Sequence, residues 1–236
     1  MTLLKNQKYI FCFVLIIIVS VFFYQYNLKD TKKPLDVELV VKYYNQGSKL
    51  LENNKYKEAL QFFNKALILD PKSKFIPLYF NKGLALKNLK KYQDAIDNYN
   101  IVIQLDSNYY SAYLNKGSAL LMLGRNSEAI ENFDKAIELK PDNHYSYYNK
   151  GVALVNLKRY QEAVDYYNKA IELNSKYFGP YAEKFCPLYN LKRYEEAVEA
   201  CDKAIELEPN HHNIQKVIDN RIKALNKLEE INKNSK

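Results

Sequence analysis

The chain has 236 residues, 47% of them hydrophobic, with a net charge of +8, 22 tyrosines and no tryptophan. Three cysteines are too few for a disulfide framework, and the six glycines are scattered rather than gathered into a phosphate-binding loop. The charge is spread, +2 before residue 40, +3 over 40–210 and +3 after, with lysines interleaved among acidic residues. That excludes the basic stripe expected of a nucleic-acid-binding face.

Residues 1–8 are a short basic tail carrying Lys5 and Lys8. Tyr9 to Tyr24 then run without a charge. Such a run spans about 24 Å as a helix, and Gln25 to Leu28 extend it towards the ~30 Å hydrocarbon core of a bilayer. Tyr9, Tyr24 and Tyr26 suit the membrane interface. The sequence therefore predicts a transmembrane or signal-anchor helix over 9–28 and a linker over 29–39 containing Pro34. The alternative is a cleaved signal and a secreted product, but large residues follow the run where a small-x-small site would be needed. A short basic tail before the first apolar run predicts a single-pass membrane protein whose remaining residues lie on the non-cytoplasmic side.

From residue 40 a phrase recurs: Tyr43-Tyr-Asn-Gln-Gly47, Tyr79-Phe-Asn-Lys-Gly83, Tyr113-Leu-Asn-Lys-Gly117, Tyr147-Tyr-Asn-Lys-Gly151 and a decayed Tyr181-Ala-Glu-Lys-Phe185. The opening tyrosines are 36, 34, 34 and 34 residues apart. Each phrase leads to an alanine (Ala59, Ala95, Ala129, Ala163, Ala197), preceded by Tyr56, Tyr92, Asn126, Tyr160 or Tyr194. An aromatic follows (Phe63, Tyr99, Phe133, Tyr167, with Cys201 last), then a small residue (Ala66, Val102, Ala136, Ala170, Ala204) and a breaker such as Pro71, Pro141 or Pro209. Apolar residues recur at three- and four-residue steps, and polar stretches split each copy into two helices. Gly47 and Ala59 are expected where two backbones cross closely. One helix pair cannot bury its apolar face alone, so the copies must stack.

This pattern resembles the tetratricopeptide repeat, with tyrosine in place of the usual tryptophan. The resemblance implies an all-α, right-handed superhelical solenoid of about five helix-turn-helix repeats at 40–73, 76–109, 110–143, 144–177 and 178–211, within 40–210. Residues 212–236 are expected to form a polar-backed capping helix and a frayed tail, its apolar residues being Ile214, Val217, Ile218, Ile222, Leu225 and Leu228. The fifth copy departs from the pattern. Phe185 replaces the glycine, Cys201 replaces the aromatic, and the two are expected to compensate each other. Pro187 is expected to kink the first helix of that copy. Cys186 and Cys201 could approach each other, either as a disulfide or as two thiols.

The tyrosines of the opening, middle and late positions are expected in the core. Asn45, Asn81, Asn115 and Asn149 are different: asparagine is a mediocre helix former, so packing gives no reason to repeat it, while an amide both donates and accepts hydrogen bonds. The resemblance implies that these positions line an inner groove, with Tyr44, Phe80, Leu114 and Tyr148 beside them, and with Leu84, Leu121 and Val155. Such a trough suits an extended or helical peptide segment of another protein. The basic residues of a carboxylate clamp are missing; Tyr44 and Ser48, then Ser111 and Asn115, stand at those places. His144 and the pair His211-His212 lack metal-ligand spacing and a nucleophile. No catalytic, cofactor or metal site, nucleic-acid partner or small-molecule substrate is expected. The predicted role is a non-enzymatic, membrane-anchored scaffold; a secreted effector and a regulatory subunit of a separate enzyme are the alternatives.

Overall fold

A computed structural model describes residues 34–234. The predicted anchor helix over 9–28 lies outside them, and among the described residues no helix is long and apolar enough to cross a membrane. Among the described residues twelve helices follow one another: α1 Pro34–Glu52, α2 Tyr56–Leu69, α3 Ile76–Asn88, α4 Tyr92–Leu105, α5 Tyr110–Met122, α6 Asn126–Leu139, α7 His144–Asn156, α8 Tyr160–Leu173, α9 Phe178–Glu183, α10 Phe185–Asn190, α11 Tyr194–Leu207 and α12 Ile214–Asn234. They form two compact units divided between Ser107 and Asn108. In the first unit α1 packs on α2 and α3 on α4 as antiparallel pairs. In the second, α5 pairs with α6, α7 with α8, the broken helix α9–α10 with α11, and α12 covers α11. The turn between α2 and α3 spans residues 70–75, whereas that between α6 and α7 spans 140–143. These two extra residues explain the single 36-residue spacing.

The alanines that follow each turn and the small residues one helix face further on are fully buried, from Ala59 and Ala66 to Ala197 and Ala204. Between them sit the largest buried side chains: Phe63, Tyr99, Phe133 and Tyr167. The glycine of the opening phrase makes room for these rings. A Cβ built on Gly47, Gly83, Gly117 or Gly151 would lie 2.5–2.6 Å from an edge carbon of the aromatic in the same copy. The predicted crossing of two backbones is thus a helix backbone pressed against a ring. In the fifth copy Phe185 and Cys201 are both buried in one core cluster with Leu188, Ala197 and Val217. The ring has moved to the other helix of the pair, and the thiol occupies the space left.

The opening and middle tyrosines are less buried than expected. Tyr79 is in the core, but Tyr43, Tyr113, Tyr147, Tyr181 and the middle series Tyr56, Tyr92, Tyr160 and Tyr194 are half-buried. A phenol can bury its ring and keep its hydroxyl at the wet edge. Tyr99 cannot: its hydroxyl is buried and has no hydrogen-bond partner among the described residues. Burial pushes its pKa up. An unsatisfied buried hydroxyl costs about 1–3 kcal/mol, and phenylalanine fills the same place in the first and third copies. Tyr99→Phe is therefore expected to raise the melting temperature; a fall would show that the hydroxyl has an unseen partner.

The turns inside the repeats place Asn54, Lys90, Gly124, Lys158 and Lys192 at positive φ, between 58° and 74°. Glycine takes this conformation freely, and the other four hold it at a cost. Pro187 breaks its helix three residues upstream, at Lys184, because it has no N–H for the Glu183 carbonyl. The chain then resumes as α10. The cap is longer than predicted: α12 continues through Asn234, where a frayed tail was expected. It buries Val217 and Ala224, while Ile222, expected on the apolar face, is 48% exposed. One turn places 218, 221 and 225 beside the buried pair and turns residue 222 outward. Cys186 is exposed, Cys201 is buried, and both thiols are free.

Candidate functional site

The four asparagines of the opening phrase lie on the first helix of their copies, but they do not behave as four equal members of one row. Asn45 is exposed. Asn81 is half-buried, and its amide donates to the Tyr44 hydroxyl at 3.2 Å and to Ser48 Oγ at 3.1 Å. It thereby ties α3 to α1. Asn115 turns its amide back onto its own helix, donating to the Ser111 carbonyl at 2.8 Å. Asn149 is half-buried.

The three aromatic candidates separate as well. Tyr44 is only 4% exposed and belongs to the core, a correction to its expected place in the groove. Its ring meets Phe75 edge-on at 4.7 Å and Phe63 at 6.3 Å. Burial raises its pKa, opposed by the hydrogen bonds with Ser48 and Asn81. Phe75 was missed because it stands in a turn, just before α3, where no helical period marks it. Phe80 is half-buried with its ring 6.0 Å from that of Tyr99. Tyr148 is half-buried under Tyr177, which meets it edge-on at 5.2 Å. Burial pushes its pKa up to about 12, with Glu183 adding to the effect. Phe75 and Tyr177 precede equivalent helices, so an aromatic just before the first helix of a copy is the sequence signal for this cover.

In the second unit these contacts build a continuous surface. Tyr145, Tyr148 and Asn149 are spaced three and four residues apart and share one face of α7. Tyr145 is 47% exposed, its ring 5.3 Å from Tyr177 and 4.1 Å from His144. His144 stacks on this patch and faces the Asn174 amide at 3.4 Å. Burial lowers its pKa, so it is held towards the neutral form. The result is a strip of aromatic rings ending in a half-buried amide.

A second series escaped notice: Lys82, Lys116, Lys150 and Lys184, the next-to-last residue of the phrase in the second to fifth copies, where the first has Gln46. A charge at that place reads as solvent-facing, yet Lys150 is only 8% exposed. It reaches between α6 and α8, pairs with Asp134 and approaches the Tyr166 hydroxyl at 2.6 Å, over the Tyr166 ring. Lys184 makes the corresponding contact with Asn168 Oδ1 at 2.8 Å. Burial pulls the Lys150 pKa down, but the bonds with Asp134 and Tyr166 outweigh it, and the net shift is upward. A raised pKa means a contribution to stability that is fully present below the ordinary lysine value and is lost as pH rises through the folded value. The stability lost above about pH 10 is expected to be larger in the native protein than in Lys150→Met. Parallel alkaline melting curves for the two would contradict this.

Among the described residues no group of three or more His, Cys, Asp or Glu side chains could hold a metal ion. His211 is stacked on Phe178 at 4.0 Å, next to His212. The arrangement offers apolar and amide contacts, not acid–base or nucleophilic chemistry.

Known proteins share the repeated helix-pair fold. Tetratricopeptide-repeat models match residues 40–73, 76–109 and 144–177, a further such model matches 117–158, and another 188–211; together they cover more than half of the chain. No curated protein matches the sequence. Solved structures of similar fold include a MamA protein (24% identity over 73% of this chain and 93% of that one, TM-score 0.65). MamA from Desulfovibrio magneticus RS-1 is 21% identical over 73% of this chain and 97% of its own, with a TM-score of 0.67. YrrB, described as a TPR protein with an unusual peptide-binding site, is 22% identical over 75% of this chain and 90% of its own, with a TM-score of 0.61. The repeat period, the ring seated against the phrase glycine in each of the first four copies and the matched models together make this chain a member of the tetratricopeptide-repeat family.

Proposed function

We propose that this protein is a non-enzymatic scaffold that binds peptide segments of other proteins on the first helices of its repeats. One observation carries the reading: on α7 the exposed ring of Tyr145 and the half-buried Tyr148 lead directly to Asn149, whose amide makes no hydrogen bond to the described residues. Rings give apolar contact area at low entropic cost, and a free amide can pair with a peptide group of an extended chain. Phe80, Leu114 and the exposed Asn45 extend the same chemistry to the first helices of other copies, while the amides of Asn81 and Asn115 already donate within the protein and have less to offer a peptide. Tyr44 takes no part, being core. The peptide-binding description of YrrB supports the class of ligand. An anchor over 9–28 would hold this scaffold at a membrane, with the repeats on the non-cytoplasmic side; its support is the uncharged run from Tyr9 to Tyr24.

The test is capture of partners from extract of the source cells by the full chain, beside the same chain carrying Asn81→Ala, Asn115→Ala and Asn149→Ala. Equal helicity of the two is established first. A partner retained by the native chain and recovered at least about tenfold less by the variant is expected, as two or three lost hydrogen bonds imply. Equal recovery would remove the asparagines from the site.

A further inference from the structure

The lysine that Asp134 and Tyr166 enclose in the fourth copy has a counterpart in the second copy with neither group around it. Lys82 stands where Lys150 does, Asn64 where Asp134 does, and Asn98 where Tyr166 does. Beside Lys82 lies a cleft of about 350 Å³ in the first unit, between α2 and α4, whose charged lining is Lys82, Lys91, Asp94 and Asp97, with Asn64 and Asn98 next to them. Lys82 makes no hydrogen bond or ion pair there, and burial lowers its pKa, partly offset by Asp94. Asn98 is 8% exposed and spends its amide on the Asp94 carbonyl of its own helix. Around Lys150 the same scaffold holds a carboxylate from the third copy and a phenol from the fourth, both at the lysine.

We propose that this cleft is a second peptide-binding site, on the second-helix face, for a partner segment presenting a carboxylate and a tyrosine on one side. The tyrosine ring takes the space that Tyr166 fills in the fourth copy, and the carboxylate takes the place of Asp134 at the lysine. Asp94 and Asp97 do not forbid an anion: Lys82 and Lys91 line the same cleft, so two cations stand against the two carboxylates. An extended segment Asp-x-Tyr supplies the two groups, because residues two apart in an extended chain share a side. The ammonium then exchanges incomplete solvation for a charge-assisted bond and a ring face. The inference rests on the chain being a peptide-binding scaffold, but not on the asparagine face.

The test measures binding of acetyl-Asp-Gly-Tyr-amide to the isotope-labelled full chain by nuclear magnetic resonance. The controls are acetyl-Asn-Gly-Tyr-amide and acetyl-Asp-Gly-Ala-amide. The first peptide is expected to bind at least about tenfold more tightly than either control, shifting the side-chain amides of Asn64 and Asn98. Asn98→Tyr puts the fourth copy's residue into the cleft; it is expected to abolish the Asn64 shift without lowering the melting temperature. Lys82→Met is expected to weaken binding by about tenfold. Equal affinity for the three peptides, binding undiminished in Asn98→Tyr, or a melting temperature lowered by Asn98→Tyr would each overturn the proposal. Binding kept in the triple asparagine variant and lost in Asn98→Tyr separates this site from the first-helix face.

Discussion

Phe185→Gly is expected to destabilise the second unit by about 3–5 kcal/mol, and adding Cys201→Phe is expected to recover much of that loss. Phe185 is 6% exposed and Cys201 fully buried, in one cluster with Leu188, Ala197, Ala204 and Val217. Removing the ring alone leaves a cavity that the surrounding helices cannot close. The double change moves the ring back to the helix that carries it in the other four copies, where glycine faces it. Recovery will be partial, because the helix that bears position 185 is interrupted at Lys184 in this copy and continuous in the others. Cys201→Phe alone puts two rings into space shaped for one, and its cost is expected at about 1–3 kcal/mol or above. Thermal or denaturant melting of the three variants decides the matter. A double variant no more stable than Phe185→Gly would show that the two positions are not exchanging a ring.

The second large effect lies at the glycines themselves. A Cβ on Gly117 would stand 2.6 Å from one Phe133 ring carbon and 2.8 Å from the next. Phe133 is fully buried between Ala129 and Ala136, both without exposure, so the ring has nowhere to retreat. Gly117→Val is expected to lower stability by about 3 kcal/mol, well beyond the helix-propensity gain of replacing glycine. Gly124→Ala is the control: its Cβ meets nothing within 4 Å, and only the positive φ resists it, at about 1 kcal/mol. Equal melting temperatures for the two would mean that the ring is free to move.

The period of the opening phrase was enough to read the helix pairs, the alanine contacts and the ring in each second helix, because all of these depend on the face a single helix presents. What crosses from one helix to another was harder. The glycine was expected against a backbone and meets a ring, since the sequence gives spacing along each helix but not the depth at which two helices interlock. Tyr44 was expected in a groove and is core, since Phe75 covers it from a turn that carries no period. The asparagines share a position and differ in partners: Ser48 and Tyr44 are within reach of Asn81, Ser111 is within reach of Asn115. Lys150 carries no mark in the sequence that sets it apart from the other helical lysines, and its burial depends on Asp134 and Tyr166, which come from two different second helices.

Hydrogen–deuterium exchange of the full chain, with and without a captured partner, tests peptide binding on the first-helix face most directly. Protection is expected along α3, α5 and α7, strongest around Tyr145–Asn149, with α6, α8 and α11 unchanged. Protection confined to α2 and α4 would place the partner in the Lys82 cleft alone. Protection confined to the second helices at large, or none on α7, would contradict the central claim.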